Sequence, residues 1–153
     1  MRLYLVQHGD AVSKEADPKR PLSDQGRADI ERIASLLGKT GMRVSRVLHS
    51  GKKRAQQTAE SLAASVGTGE HVEETAGIDP LDPTEGFART VAEWTEDTMV
   101  VGHLPFMGKL VSRLLVGEEE TSTVAFQPGS VVCLDRGEDG SWSIAWMIRP
   151  ELL

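Results

Sequence analysis

Three short, mostly apolar runs constrain this chain more than any other feature: Leu3-Tyr4-Leu5-Val6, Arg46-Val47-Leu48-His49 and Thr98-Met99-Val100-Val101. Each is followed by a polar residue, then by a glycine or the start of a helical pattern. Short runs without polar alternation suit strands that are covered on both faces. Helix-length amphipathic segments separate them, which is the pattern of a mostly parallel sheet with helices on both faces. In such a sheet the strand ends lie along one edge, where binding sites form. His8, Arg54 and His103 sit just past the three runs, so they are expected to meet there.

The intervening segments fill in the rest. Residues 10–21 are polar, contain Pro18 and Pro21, and read as a loop. Ser23 is placed to cap a helix carrying Ile30, Ile33, Ala34 and Leu37 at helical spacing, with Gly38 and Gly41 around its end. Gly26 stands where a full capping box would have Glu or Gln. Ala55, Thr58, Ala59, Leu62 and Ala63 mark a helix over 52–65, ended by residues 66–69. Residues 70–74 read as a short strand, 77–83 as a loop, 85–94 and 106–116 as helices. Ser130 to Leu134 and Trp142 to Trp146, joined by a turn at 137–140, read as an antiparallel hairpin at the sheet edge, which makes the sheet mixed. Trp142 and Trp146, four residues apart, are expected on one face of that strand.

A chain of 153 residues suits a single domain, residues 1–153. The net charge of −6 argues against non-specific binding to nucleic acid or anionic membranes, without excluding a local cationic pocket. The lone Cys133 excludes an internal disulfide and reads as a core thiol. No apolar run approaches a membrane span and no signal-peptide pattern opens the chain, so a cytoplasmic location is expected.

Two imidazoles and fixed cations at one strand edge suit phosphoryl transfer. Neutral imidazole is a nucleophile near pH 7. Arginine supplies a permanently charged fork that matches phosphate oxygens. Arg54 and Arg20 are the candidates, helped by backbone donors at helix starts after Ser50 and Leu104. Asp10 reads as a strand terminator, and His49 and His71 as peripheral.

Four segments together resemble the histidine phosphatase superfamily (phosphoglycerate mutase-like), and within it the short SixA-like phosphohistidine phosphatases. His8-Gly9 matches the family's Arg-His-Gly motif in its last two residues. Arg20-Pro21-Leu22-Ser23-Asp24-Gln25-Gly26 resembles Arg-Pro-Leu-Thr-x-x-Gly. Residues 50–60 resemble Ser-Pro-x-x-Arg-Ala-x-Gln-Thr-Ala-Glu, and Gly102-His103-Leu104-Pro105 resembles (Gly/Ser)-His-x-Pro. The resemblance implies a three-layer α/β fold and removal of phosphate from a phosphohistidine-bearing protein of a phosphorelay or phosphotransfer system. It implies His8 as the phosphorylated nucleophile, Arg20 and Arg54 on the phosphoryl oxygens, and His103 donating to them. No metal or other cofactor is implied.

One position departs from the motif. Gln7 stands where the family has Arg, replacing a charged donor by a neutral one, so a slower phosphatase is expected. Asp79, Asp82 and Glu85 are loop acids that read as solvated, with a role as proton donor left open. Two rival readings remain: a small-molecule phosphomonoesterase of the same superfamily, and a phosphate- or phosphohistidine-binding module without turnover.

Overall fold

Six strands form one sheet in the order β3-β2-β4-β1-β5-β6. The strands are β1 (Arg2–Gln7), β2 (Arg46–His49), β3 (Val72–Glu74), β4 (Thr98–Gly102), β5 (Val131–Arg136) and β6 (Trp142–Ile148). The computed structural model describes residues 1–67 and 71–153. The first four strands are mutually parallel, while β5 runs antiparallel to β1 and β6 antiparallel to β5. The expected mixed α/β sheet is what forms. The strand expected over 70–74 is seen as β3. Its first position, and residues 68 and 69 of the expected helix end, lie outside the described residues.

Helices α1 (Asp24–Lys39) and α2 (Lys53–Val66) cover one face of the sheet; α3 (Glu85–Ala92) and α4 (Phe106–Val116) cover the other. Alternate residues of β1 feed the two cores: Tyr4 and Val6 pack under α1 and α2, Leu3 and Leu5 under α3 and α4. This two-sided burial is why the central strands read as continuous apolar runs. Ser23 caps α1 as expected, its Oγ accepting the Gly26 N–H at 3.0 Å. The buried stripe of α1 is Ile30, Ile33, Ala34 and Leu37, and α2 meets it through Ala55, Ala59, Leu62 and Ala63. Helix α3 stops at Ala92, two residues before the expected end. Cys133 is fully buried, and burial pushes its thiol up to about 11, so it is a core group.

The hairpin corrects one expectation. Trp146 pairs with Cys133, but Leu134 pairs with Ile144, which leaves Ala145 as an extra residue on β6. The bulge shifts side-chain alternation by one. Trp146 therefore packs with the α1/α2 core, 5.9 Å from Tyr4 ring to ring, and Trp142 with the α3/α4 core. The two tryptophans lie on opposite faces. Among the described residues, no helix is long and apolar enough to cross a membrane.

Candidate active site

The carboxyl ends of β1, β4 and β2 lie side by side, and each delivers one element of the site. Gln7 pairs with Gly102, so His8 and His103 leave neighbouring strands in register. The His8 N–H donates to Gly102 O at 3.0 Å, and Gly129 N–H donates to the carbonyls of Gln7 and His8. Gly102 has a steric reason. A Cβ there would stand 2.8 Å from Met107 Sδ, so glycine lets α4 turn back over the strand without displacing that side chain. The two imidazole rings lie 4.9 Å apart, centroid to centroid, tilted by 53°.

Hydrogen bonds fix the state of the His8 ring. Its Nδ1 is 2.7 Å from Gly9 O, which can only accept, so Nδ1 carries the proton. Nε2 therefore presents its lone pair, and it receives the Arg54 Nε–H at 3.3 Å. Burial, aided by the charges of Arg54 and Arg20, holds the His8 pKa at about 4. His103 is almost fully buried. Burial first, then His8, Arg54, Lys52 and Arg20, lowers its pKa to about 3. Both rings are neutral at pH 7. The Nε2 of His103 lies 2.6 Å from Ser50 Oγ, and its Nδ1 is buried without a hydrogen-bond partner.

The loop from Asp10 to Leu22 folds against α1 and α2 and carries Arg20. Asp10 O accepts from Ser23 N–H, and Asp10 Oδ2 from the Ser23 hydroxyl at 2.6 Å. Gly26 permits this approach, since a Cβ there would fall 2.0 Å from Asp10 O. Gln57 Oε1 accepts the Leu22 N–H at 2.8 Å, so this amide ties the loop to α2. Arg20 adopts φ +48°, a left-handed conformation uncommon for a residue with a side chain. Its Nε donates to Val12 O at 3.0 Å. Its charge bears on His8, Arg54 and His103, and the Arg54 guanidinium is held below its ordinary pKa by burial first and then by Arg20. Gln7, the last residue of β1, is buried with Oε1 unpaired.

Of the expected site residues, His8 and His103 lie 4.9 Å apart ring to ring, Arg54 reaches His8 Nε2 at 3.3 Å, and the charge of Arg20 bears on all three, whereas the Gln7 side chain makes no described hydrogen bond to any of them. The loop acids do not join them through any described hydrogen bond. Asp82 Oδ2 accepts from Asp79 N–H at 2.9 Å, and Glu85 pairs with Arg89 at 2.9 Å on an exposed face. His49, buried at the end of β2, accepts from Gly51 N–H. Two residues in the site's hydrogen-bond network escaped the sequence analysis as site groups. Ser50 touches His103, and Thr58 Oγ accepts the Gly9 N–H at 3.0 Å. Ser50 and Thr58 both stand at matching positions of the residue 50–60 motif, and Thr58 also in the apolar stripe of α2, but neither signal says what the hydroxyl touches.

The sequence profile of the histidine phosphatase superfamily (branch 1) matches residues 3–82, more than half of the chain. The chain belongs to the histidine phosphatase superfamily. This membership sets its activity class as a phosphatase. Among superfamily relatives, phosphohistidine phosphatase SixA of Escherichia coli K12 is 26% identical over 98% of this chain and 94% of that protein. An uncharacterised protein of Picosynechococcus is 30% identical over 77% of this chain and 75% of its own length. The structure of the protein histidine phosphatase SixA complexed with tungstate superposes with a TM-score of 0.87 at 25% identity, covering 99% of both chains. The alpha-ribazole phosphatase of Shigella flexneri shares the fold, with a TM-score of 0.75, 16% identity, and 98% and 97% of the two chains covered.

Proposed function

We propose that this histidine phosphatase removes the phosphoryl group from a phosphohistidine on a partner protein, by way of a phosphohistidine on its own His8. The observation that carries the reading is the state of His8. Its Nδ1 proton is committed to Gly9 O, its Nε2 lone pair meets the guanidinium of Arg54, and its ring lies 4.9 Å from that of His103, centroid to centroid. A neutral nucleophile with a cation beside it is suited to attack on phosphorus.

In the first step the Nε2 lone pair forms a bond to phosphorus while the substrate's P–N bond breaks. The departing imidazole keeps that electron pair and takes a proton from solvent, to which the attacking water returns one in the second step. In the second step water attacks the phosphorus on His8, the new P–N bond breaks, inorganic phosphate leaves and His8 returns to its neutral form. Arg54 and Arg20 hold non-bridging oxygens through charge-assisted hydrogen bonds. The dianion raises the affinity of His103 for a proton, making that ring a donor to the same oxygens. Gln7 adds neutral amide donation in place of a third guanidinium, which slows the reaction without abolishing it.

The leaving group favours P–N over P–O substrates. Imidazole is protonated near neutral pH, whereas an alkoxide needs a strong acid beside it. Asp82 and Glu85 are engaged locally instead. The likeness to the tungstate-bound protein histidine phosphatase SixA supports a tetrahedral anion as ligand and a histidine-phosphorylated protein as its source. The test compares phosphate release from a phosphohistidine protein and from simple phosphate esters at equal concentration, in the parent and in His8→Ala. Preference for the phosphohistidine protein and acid-labile label on His8 support the reading. Preference for esters would make the protein a phosphomonoesterase, and anion binding without phosphate release would make it a binding module.

A further inference from the structure

One buried hydroxyl closes a circuit between the proposed nucleophile and its cation. Thr58 is fully buried on α2. Its Oγ accepts the Gly9 N–H at 3.0 Å and donates its own hydrogen to Arg54 O at 2.8 Å. Gly9 O takes the His8 Nδ1–H at 2.7 Å, and Arg54 Nε–H returns to His8 Nε2 at 3.3 Å. The direction of every hydrogen is fixed. A carbonyl only accepts and a guanidinium only donates, so the hydroxyl must receive from Gly9 and the imidazole must carry its proton on Nδ1.

We infer that Thr58 is a positioning residue for phosphoryl transfer: its hydroxyl locks His8 in the Nδ1–H tautomer and sets Arg54 against the attacking nitrogen. The bond from Thr58 to Arg54 O is one that any helical threonine can make. The bond from Gly9 is different, because it joins the end of β1 to a helix 49 residues away in sequence. Gly9 is wedged on its other side, where a Cβ would lie 2.9 Å from Ile30 Cγ1 and 3.2 Å from Gly26 O. The Thr58 hydroxyl thus faces the Gly9 N–H in a slot closed on the other side by Ile30, Leu22 and the Gly26 carbonyl. Without it the buried Gly9 N–H has no acceptor, and the residue must shift to find one. The carbonyl that defines the His8 tautomer moves with it. The catalytic consequence rests on the proposed role of His8, but the tautomer can be read without any turnover.

The test uses Thr58→Val, which keeps the shape and removes the hydroxyl, and Thr58→Ser, which keeps the hydroxyl. Nitrogen-15 NMR of the His8 ring reads the tautomer. Steady-state kinetics on a phosphohistidine protein read kcat and KM separately. The parent is expected to show the Nδ1–H form alone. Thr58→Val is expected to show a tautomer mixture and a kcat lower by about 10- to 100-fold, the scale of an ångström-level misplacement, with KM little changed. Thr58→Ser is expected to restore both. A parent ring protonated on Nε2, a serine variant with a tautomer mixture and a kcat lowered about 10-fold or more, or a valine variant with parental tautomer and kcat each overturns the inference. The first two decide it even if Thr58→Val does not fold. Failure of the phosphatase reading looks different: no label on His8 in a parent whose ring spectrum is as expected.

Discussion

Arg54 points its Nε–H at the lone pair of His8 Nε2 across 3.3 Å. The nitrogen proposed to attack phosphorus is therefore engaged by the cation proposed to hold the phosphoryl oxygens. Binding of the anion resolves this competition, because an oxygen bearing negative charge is a better acceptor than a neutral ring nitrogen. Arg54→Ala should lower kcat by about 100- to 1,000-fold, the cost of one oxyanion donor. Arg54→Lys keeps the charge without the fork and should recover only part of that loss. A lysine variant with parental kcat would show that the fork is not used.

The two site imidazoles should titrate far below the ordinary histidine value of 6.5. Burial is the first cause for both, with His8 at about 4 and His103 at about 3. Proton NMR of the ring C–H signals checks this directly. A saturating tetrahedral oxyanion should move both midpoints upward, since its charge favours the imidazolium. A midpoint near 6.5 for His103 in the empty protein would contradict the burial described.

The same shifts set a sign for stability. Above pH 6.5 the rings are neutral in both folded and unfolded chains, and the folded state pays nothing for excluding protons. Between pH 6.5 and about 4 the unfolded chain binds protons that the folded site refuses, so stability falls as pH falls. The double variant His8→Gln, His103→Gln should lose less melting temperature than the parent between pH 7.5 and pH 5. An equal loss would mean the site does not contribute.

Gln7→Arg should raise turnover and lower stability together. A third guanidinium joins Arg20 and Arg54 at a buried position, where like charges repel. In the transition state that charge gains a partner, and the rise in kcat should reach about 10-fold, below the full worth of an oxyanion donor. Added phosphate should restore the melting temperature. Unchanged kcat would show that charge at this position is not limiting.

Two glycines make a graded pair. In Gly26→Ala the new methyl meets the Asp10 backbone carbonyl at 2.0 Å, which cannot move without dragging the segment that follows His8. In Gly102→Ala it meets the end of the Met107 side chain at 2.8 Å, which can rotate. Gly26→Ala should reach or exceed the upper end of the usual overpacking cost, about 1–3 kcal/mol, and depress kcat. Gly102→Ala should fall near the lower end. Denaturant unfolding of both variants checks the order.

The strands and helices that build the site were legible because burial on two faces leaves a plain signature, as in residues 3–6 and 98–101. His8, Arg54 and His103 were legible because each follows such a strand. What escaped depends on contacts between distant segments. Gly26 looks like an imperfect capping position until Asp10 is seen against it. Thr58 stands in a motif segment and in an apolar stripe, and neither reveals its partner until Gly9 is seen donating to it. Trp142 and Trp146 share a face by counting, and one extra residue at Ala145 undoes the count.

The antiparallel run of β5 beside β1 sets Val131 next to Val6 and Asp135 next to Arg2. The turn at residues 137–140 therefore projects from the opposite rim of the sheet, about 20 Å from His8 at the usual strand rise. Its four residues are exposed, and a side chain added at Gly140 would meet nothing within 4 Å. A fluorophore or affinity handle grafted at Glu138 would report on docking of a partner while leaving the chemistry out of its reach.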